Sequence, residues 1–173
     1  MNPRRLLLLR HAKASRDDPS VEDIARGLTK RGRLAAQSIG RAMRDLGLRP
    51  DLVLCSPARR AQETSALVAA EWQHPPPART VPDLYDFGDG TTVLDTIRRE
   101  AGAARTLMLI GHNPAFENLA LRLAGPGNPD LRAAMEQKYP TAALAVLSFD
   151  LPWHDLTDNS CTLTHFIRPS DLT

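Results

Sequence analysis

Leu6-Leu7-Leu8-Leu9, followed at once by Arg10-His11, is the stretch from which the fold is read. Four consecutive leucines with no polar alternation describe a strand buried on both faces, as in the middle of a parallel sheet. Asp51-Leu52-Val53-Leu54-Cys55 and Thr106-Leu107-Met108-Leu109-Ile110 repeat the pattern. Between the first two runs, Ala35, Ile39, Ala42 and Leu46 recur at helical spacing, with Thr29 ahead of them as an N-cap. Ala61, Thr64, Leu67 and Val68 predict a helix after the second run, and Phe116, Leu119, Ala120 and Leu123 another after the third. Strand and helix therefore alternate, which is the rhythm of an α/β sheet covered by helices on both faces.

The remainder of the chain fits around that frame. The proline-rich segment from His74 to Pro82 leaves room for a short strand near Arg79 to Val81, before a loop from Asp83 to Gly90. Thr92 to Glu100 predicts a helix, and Leu131 to Gln137 a shorter one after the turn Gly125-Pro126-Gly127-Asn128-Pro129. Ala143 to Phe149 and Cys161 to Ile167 read as strands joined by Leu151 to Ser160, an antiparallel hairpin at the sheet edge. The expected architecture is a three-layer α/β domain spanning residues 1–173, with a mostly parallel central sheet.

Composition narrows the partners. The chain is 42% apolar and 24% charged, with 22 basic against 20 acidic residues and a formal charge of +2, so nothing singles out a nucleic-acid binder. Met1 to Leu9 begins like a secretory signal, but the apolar run ends after four residues, and no stretch approaches a membrane span. A cytoplasmic protein without a membrane partner is expected, with a monomer as the default. Cys55 and Cys161 form no C-x-x-C pair and are read as reduced, buried thiols.

Polar clusters follow each of the three buried runs: Arg10-His11, Ser56 to Arg60, and His112-Asn113. Ligands of open α/β sheets sit beyond the carboxyl ends of the strands, so the fold would gather these clusters at one rim. Ser56-Pro57 and Asn113-Pro114 each pair an N-cap residue with a proline suited to the first helical position, which would aim helix N-termini at that rim. Guanidinium forks and positive helix ends suit a phosphoryl group. A neutral histidine facing phosphorus can attack it, while arginines and a second histidine neutralise the equatorial oxygens, so neither metal nor organic cofactor is called for. No phosphate-binding glycine loop occurs, and arginines beside the histidines disfavour zinc.

Leu9-Arg10-His11-Ala12, Ser56-Pro57-Ala58-Arg59-Arg60-Ala61 and Gly111-His112-Asn113-Pro114 resemble the motifs of the histidine phosphatase (phosphoglycerate mutase-like) superfamily. Leu28-Thr29-Lys30-Arg31-Gly32, Leu54-Cys55-Ser56-Pro57 and Pro140-Thr141-Ala142-Ala143-Leu144 are similar to its SixA-like phosphohistidine phosphatase branch. The resemblance implies His11 as nucleophile and Arg10, Arg60 and His112 as the phosphate pocket, with Arg60 preferred over Arg59 because it stands at the family position before Ala61. It implies a phosphorylated substrate, either protein phosphohistidine or a small phosphorylated metabolite, and inorganic phosphate as product; a phosphopeptide-binding module without turnover is the alternative class. Where many relatives carry an acidic glutamate, Leu84-Tyr85-Asp86-Phe87-Gly88 offers Asp86, with Asp89 or water as competitors. Ser15 and Asn113, with Lys13, are further candidates for substrate contact. His74, His154 and His165 are read as structural or exposed, and Trp72 and Trp153 as packing residues.

Overall fold

The computed structural model describes residues 3–173, so Met1 and Asn2 of the signal-like start lie outside the described residues. In chain order the elements are β1 (Arg4–Arg10), α1 (Lys30–Asp45), β2 (Leu52–Cys55), α2 (Arg59–Ala69), β3 (Ala78–Thr80) and α3 (Thr91–Glu100), then β4 (Thr106–Gly111), α4 (Ala115–Leu123), α5 (Pro129–Gln137), β5 (Leu144–Phe149) and β6 (Thr162–Ile167). One sheet holds all six strands in the order β3-β2-β4-β1-β5-β6. β3, β2, β4 and β1 are parallel, whereas β5 runs against both β1 and β6, making the antiparallel hairpin edge.

The uninterrupted apolar runs have the physical cause assigned to them: both faces of the sheet are covered. Leu6 and Leu8 of β1 point with Leu107 and Leu109 of β4 into a core completed by α3, α4 and Met135 of α5. Leu7 and Leu9 point with Met108 and Ile110 the other way, against Ile39 and Met43 of α1 and Val68 of α2. All four β1 leucines are fully buried, and each such burial contributes on the order of 1.5–3 kcal/mol.

Thr29 caps α1 as expected, its hydroxyl accepting from the Gly32 N–H at 2.9 Å. The stripe that α1 buries is Gly32, Ala36, Ile39, Gly40 and Met43: Ile39 is buried as expected and Ala35 packs partly against the same core, while Ala36, Gly40 and Met43 take the places expected of Ala42 and Leu46. Glycine and alanine carry it because the helix lies close to its neighbours: a Cβ on Gly40 would stand 2.9 Å from Glu71 and 3.1 Å from the Val68 backbone. Leu46 falls beyond the last turn and is exposed.

A second correction concerns the helix starts. α2 begins at Arg59 after Ala58, and α4 at Ala115 after Pro114, and neither preceding residue makes a side-chain cap. Ser56 and Asn113 stand one or two residues before the cap position, yet Asn113 Oδ1 accepts from Glu117 N–H in the first turn of α4 and Ser56 Oγ accepts from Ala58 N–H just ahead of α2. The register between strands has the larger consequence. Arg10 pairs with Gly111 and Cys55 with Ile110, so β1, β4 and β2 end level with one another. The residues that follow them, His11, His112 and Ser56, are thereby delivered to one rim.

Candidate active site

At that rim a cavity of about 660 Å³ is lined by Arg10, His11, Asp23, Arg26, Arg60 and Phe87, with Lys13, Asn113 and Lys138 among the further residues. His11 is 8% exposed and its backbone is pinned on both sides. Its N–H donates to Gly111 O, its carbonyl accepts from Ala142 N–H, and the following Ala12 N–H donates to Thr64 Oγ1. Ala142 holds a left-handed conformation, φ 63°, to make that contact. A non-glycine residue adopts such a φ only where its surroundings enforce it.

The His11 ring orientation defines its chemistry. Nδ1 is 2.7 Å from Ala12 O, and a carbonyl can only accept, so Nδ1 carries the proton and Nε2 the lone pair. Arg60 Nε donates to that Nε2 at 3.3 Å. Burial pushes the imidazole down to about pH 4, with Arg60 and Arg10 adding to the shift against the Ala12 hydrogen bond. The ring is therefore neutral at pH 7, with its Nε2 lone pair turned toward Arg60.

Arg60 comes from the first turn of α2 and is 2% exposed. Its Nη2 lies 3.3 Å from His112 Nδ1, so one guanidinium spans both imidazoles, whose rings are 5.2 Å apart. Arg59, its neighbour, turns outward to Glu63. His112 Nε2 meets Ser56 Oγ at 2.8 Å, and the same hydroxyl accepts from Ala58 N–H. Burial, with His11 and Arg60 beside it, lowers His112 to about pH 3. Arg10 donates from Nη1 to Tyr139 O, while its Nε is buried without a partner and remains as a donor for an anion.

The other candidates fall differently. Asn113 lines the cavity, but its amide donates to Tyr139 O and its carbonyl accepts from Glu117 N–H. Ser15 is not brought in; it lines a separate small cavity with Val21 and Leu28. Asp86 is also outside the cavity lining, its carboxylate accepting from Gly88 N–H at 3.4 Å. Asp89 accepts from Thr91 N–H at the start of α3.

The carboxylate that touches the cluster is Asp23. It sits on a single 3-10 turn, Asp23–Ala25, and accepts from Arg60 Nη2 at 3.1 Å, Arg26 Nη2 at 2.9 Å and Tyr85 OH at 2.5 Å. The Tyr85 hydroxyl, then the two guanidiniums, hold it well below the usual carboxylate range. In sequence Asp23 is one acid among Asp17, Asp18, Glu22 and Asp23 on an irregular stretch, with no periodicity to distinguish it. Phe87 was equally unmarked. It is 46% exposed and lies 4.9 Å from His112, edge-on to Tyr85.

A neutral imidazole and two arginines at an open cavity, with a second imidazole packed behind Arg60, form a pocket suited to a phosphoryl group. Among the described residues no group of three or more His, Cys, Asp or Glu is placed to hold a metal. The model of the histidine phosphatase superfamily (branch 1) matches residues 6–109, and the chain belongs to that superfamily. An uncharacterized protein of Mycobacterium tuberculosis is 34% identical over 93% of this chain and 99% of its own length. The crystal structure of a candidate phosphohistidine phosphatase SixA from Agrobacterium tumefaciens is similar at 31% identity and TM-score 0.79, covering 96% of this chain and 99% of that one. A second SixA candidate, from Nakamurella multipartitia, gives 28% identity and TM-score 0.82 with 98% of both chains covered. The chain is accordingly a phosphatase of the histidine phosphatase superfamily whose fold is similar to that of the SixA candidates.

Proposed function

We propose that the protein removes phosphate from phosphohistidine on other proteins, working in the cytoplasm as a single domain without a metal. His11 Nε2 attacks phosphorus, forming the N–P bond as the bond to the leaving group breaks; water then attacks the phosphohistidine and releases inorganic phosphate, restoring the imidazole. Arg10, Arg60 and His112 take the equatorial oxygens. For His112 to donate from Nδ1, Arg60 Nη2 gives up its hydrogen bond to that nitrogen for a phosphoryl oxygen while keeping Asp23, and Ser56 Oγ–H turns to donate to Nε2, a rotation open to a hydroxyl.

The observation that carries the choice of substrate is the state of Asp23, the carboxylate in contact with the cluster, which three donors keep ionised. An ionised acid gives no proton to a leaving alkoxide. Imidazole needs far less help, since it protonates near pH 6.5, whereas water and simple alkoxides lie near 15.7. Two free, buried thiols suit a reducing compartment.

Phosphate release from a phosphohistidine-bearing protein domain and from p-nitrophenyl phosphate, side by side with wild type and His11→Ala, tests the proposal. A His11-dependent preference for the phosphoprotein supports it. Preference for the ester would move the substrate to small metabolites, and turnover of neither would leave a phosphate-binding module.

A further inference from the structure

A second cavity, about 590 Å³, opens beside the catalytic one and shares Lys13, Lys138, Pro140 and Thr141 with it. Its far side is formed by Arg31 on α1 and by Arg168 and Ser170 near the C-terminus. No carboxylate lines it. Arg168 is paired with Asp171 at 3.0 Å, but Lys13, Arg31 and Lys138 are exposed and have no ion-pair partner among the described residues. Most surface arginines of the chain face acids of their own, so this wall brings together three cations without partners among the described residues.

We propose that this groove is a subsite for acidic side chains flanking the phosphorylated residue of a polypeptide substrate. The inference rests on the phosphoprotein reading above. Continuity of the two walls is the argument for a polypeptide: one chain can seat its phosphoryl group between Arg10 and Arg60 and run on past Lys13 and Lys138 toward Arg31. Charge is the argument for its acidity, since the wall offers positive groups without competing carboxylates. The floor between them, Pro140 and Thr141, gives an extended segment a surface with little charge of its own.

The test reads binding apart from turnover. Two labelled peptides carry a non-hydrolysable triazole phosphonate analogue of phosphohistidine, one flanked by glutamates and one by glutamines. Fluorescence anisotropy measures their Kd for wild type, Arg31→Glu and Arg31→Lys at about 0.1 M salt, where exposed charges still interact over roughly 10 Å. The glutamate peptide is expected to bind wild type about tenfold more tightly, the preference falling below about threefold in Arg31→Glu and persisting in Arg31→Lys. Arg31 is exposed and outside the catalytic cavity lining, so p-nitrophenyl phosphate turnover and the melting temperature should match wild type in both variants. Equal Kd values for the two peptides in wild type, or an undiminished preference in Arg31→Glu, would overturn the subsite. A single-stranded oligonucleotide bound in an Arg31-dependent way, without discrimination between the peptides, would assign the wall to nucleic acid instead. Failure of the phosphohistidine reading itself would appear elsewhere, as absent turnover of the phosphohistidine domain by wild type.

Discussion

Asp23 Oδ2 stands 3.1 Å from Arg60 Nη2, and the Asp23 backbone carbonyl accepts from Arg60 Nη1 at 2.8 Å. One residue on a short turn thus grips two nitrogens of the guanidinium whose third nitrogen reaches His11. The arrangement fixes the fork before a phosphoryl group arrives.

Asp23→Asn should therefore lower kcat/KM by about tenfold, because the amide keeps the shape but loses the charge-assisted bond that orients Arg60. The loss should be equal on a phosphohistidine protein and on glycerol phosphate. A loss confined to glycerol phosphate would make Asp23 a proton donor, since an alkoxide leaving group gains more from one than imidazole does.

The contrast between Asp23 and Leu6 to Leu9 shows what a single sequence reveals. The leucine run is legible because covering both faces of a strand imposes a composition on every residue in it. From the strands follow the βα junctions, and from the junctions the meeting of His11, Arg60 and His112, since register does the rest. Asp23, Tyr85 and Phe87 reach the rim from irregular segments, where no periodicity constrains direction. Ser56 has the type and the following proline of a helix cap, and its hydroxyl does accept from Ala58 N–H, but it also meets His112, a long-range contact invisible to local rules. The stripe of α1 is legible in Ile39 and Ala35 but not in Gly32 and Gly40, whose burial comes from close approach to neighbouring backbone and carries no apolar signal.

Gly32 supplies a test of that close packing. A Cβ there would collide with the backbone carbonyl of Lys13, the residue two after His11. Backbone cannot rotate away as a side chain can, so Gly32→Ala should destabilise the fold by about 1–3 kcal/mol, the range for overpacking, despite alanine's better helix propensity. Urea unfolding measures the loss. Activity should fall as well, because the displaced segment also bears the Lys13 carbonyl that receives Thr29 N–H.

Protonation gives a prediction in the acid range. His11 and His112 are pushed down to about 4 and about 3, chiefly by burial, from an ordinary value of 6.5. Above 6.5 both folded and unfolded chains hold them neutral, so no dependence arises there. Between 6.5 and about 4 the unfolded chain takes up protons that the folded one refuses, so stability should fall as pH drops through this window. Proton NMR should show the His11 and His112 imidazoles staying neutral to about pH 5, each signal assigned by its loss in the His11→Ala or the His112→Ala variant. A midpoint near 6.5 for either would mean that its ring is solvated.

Phe87 addresses the leaving group. Its ring is half exposed at the cavity, 4.9 Å from His112 and tilted 40° to it, leaving a face open to a ring seated there. Aromatic pairs contribute about 0.5–1.5 kcal/mol beyond burial, which corresponds to roughly two- to tenfold in rate if the contact persists in the transition state. Phe87→Ala should accordingly reduce kcat/KM by that factor for phosphohistidine and p-nitrophenyl phosphate, whose leaving groups are rings, and leave glycerol phosphate hydrolysis unchanged. Phe87→Leu, which fills the space without a π face, should lie between. An equal loss on all three substrates would show that Phe87 acts by packing against His112 and Tyr85, and the leaving-group role would fall.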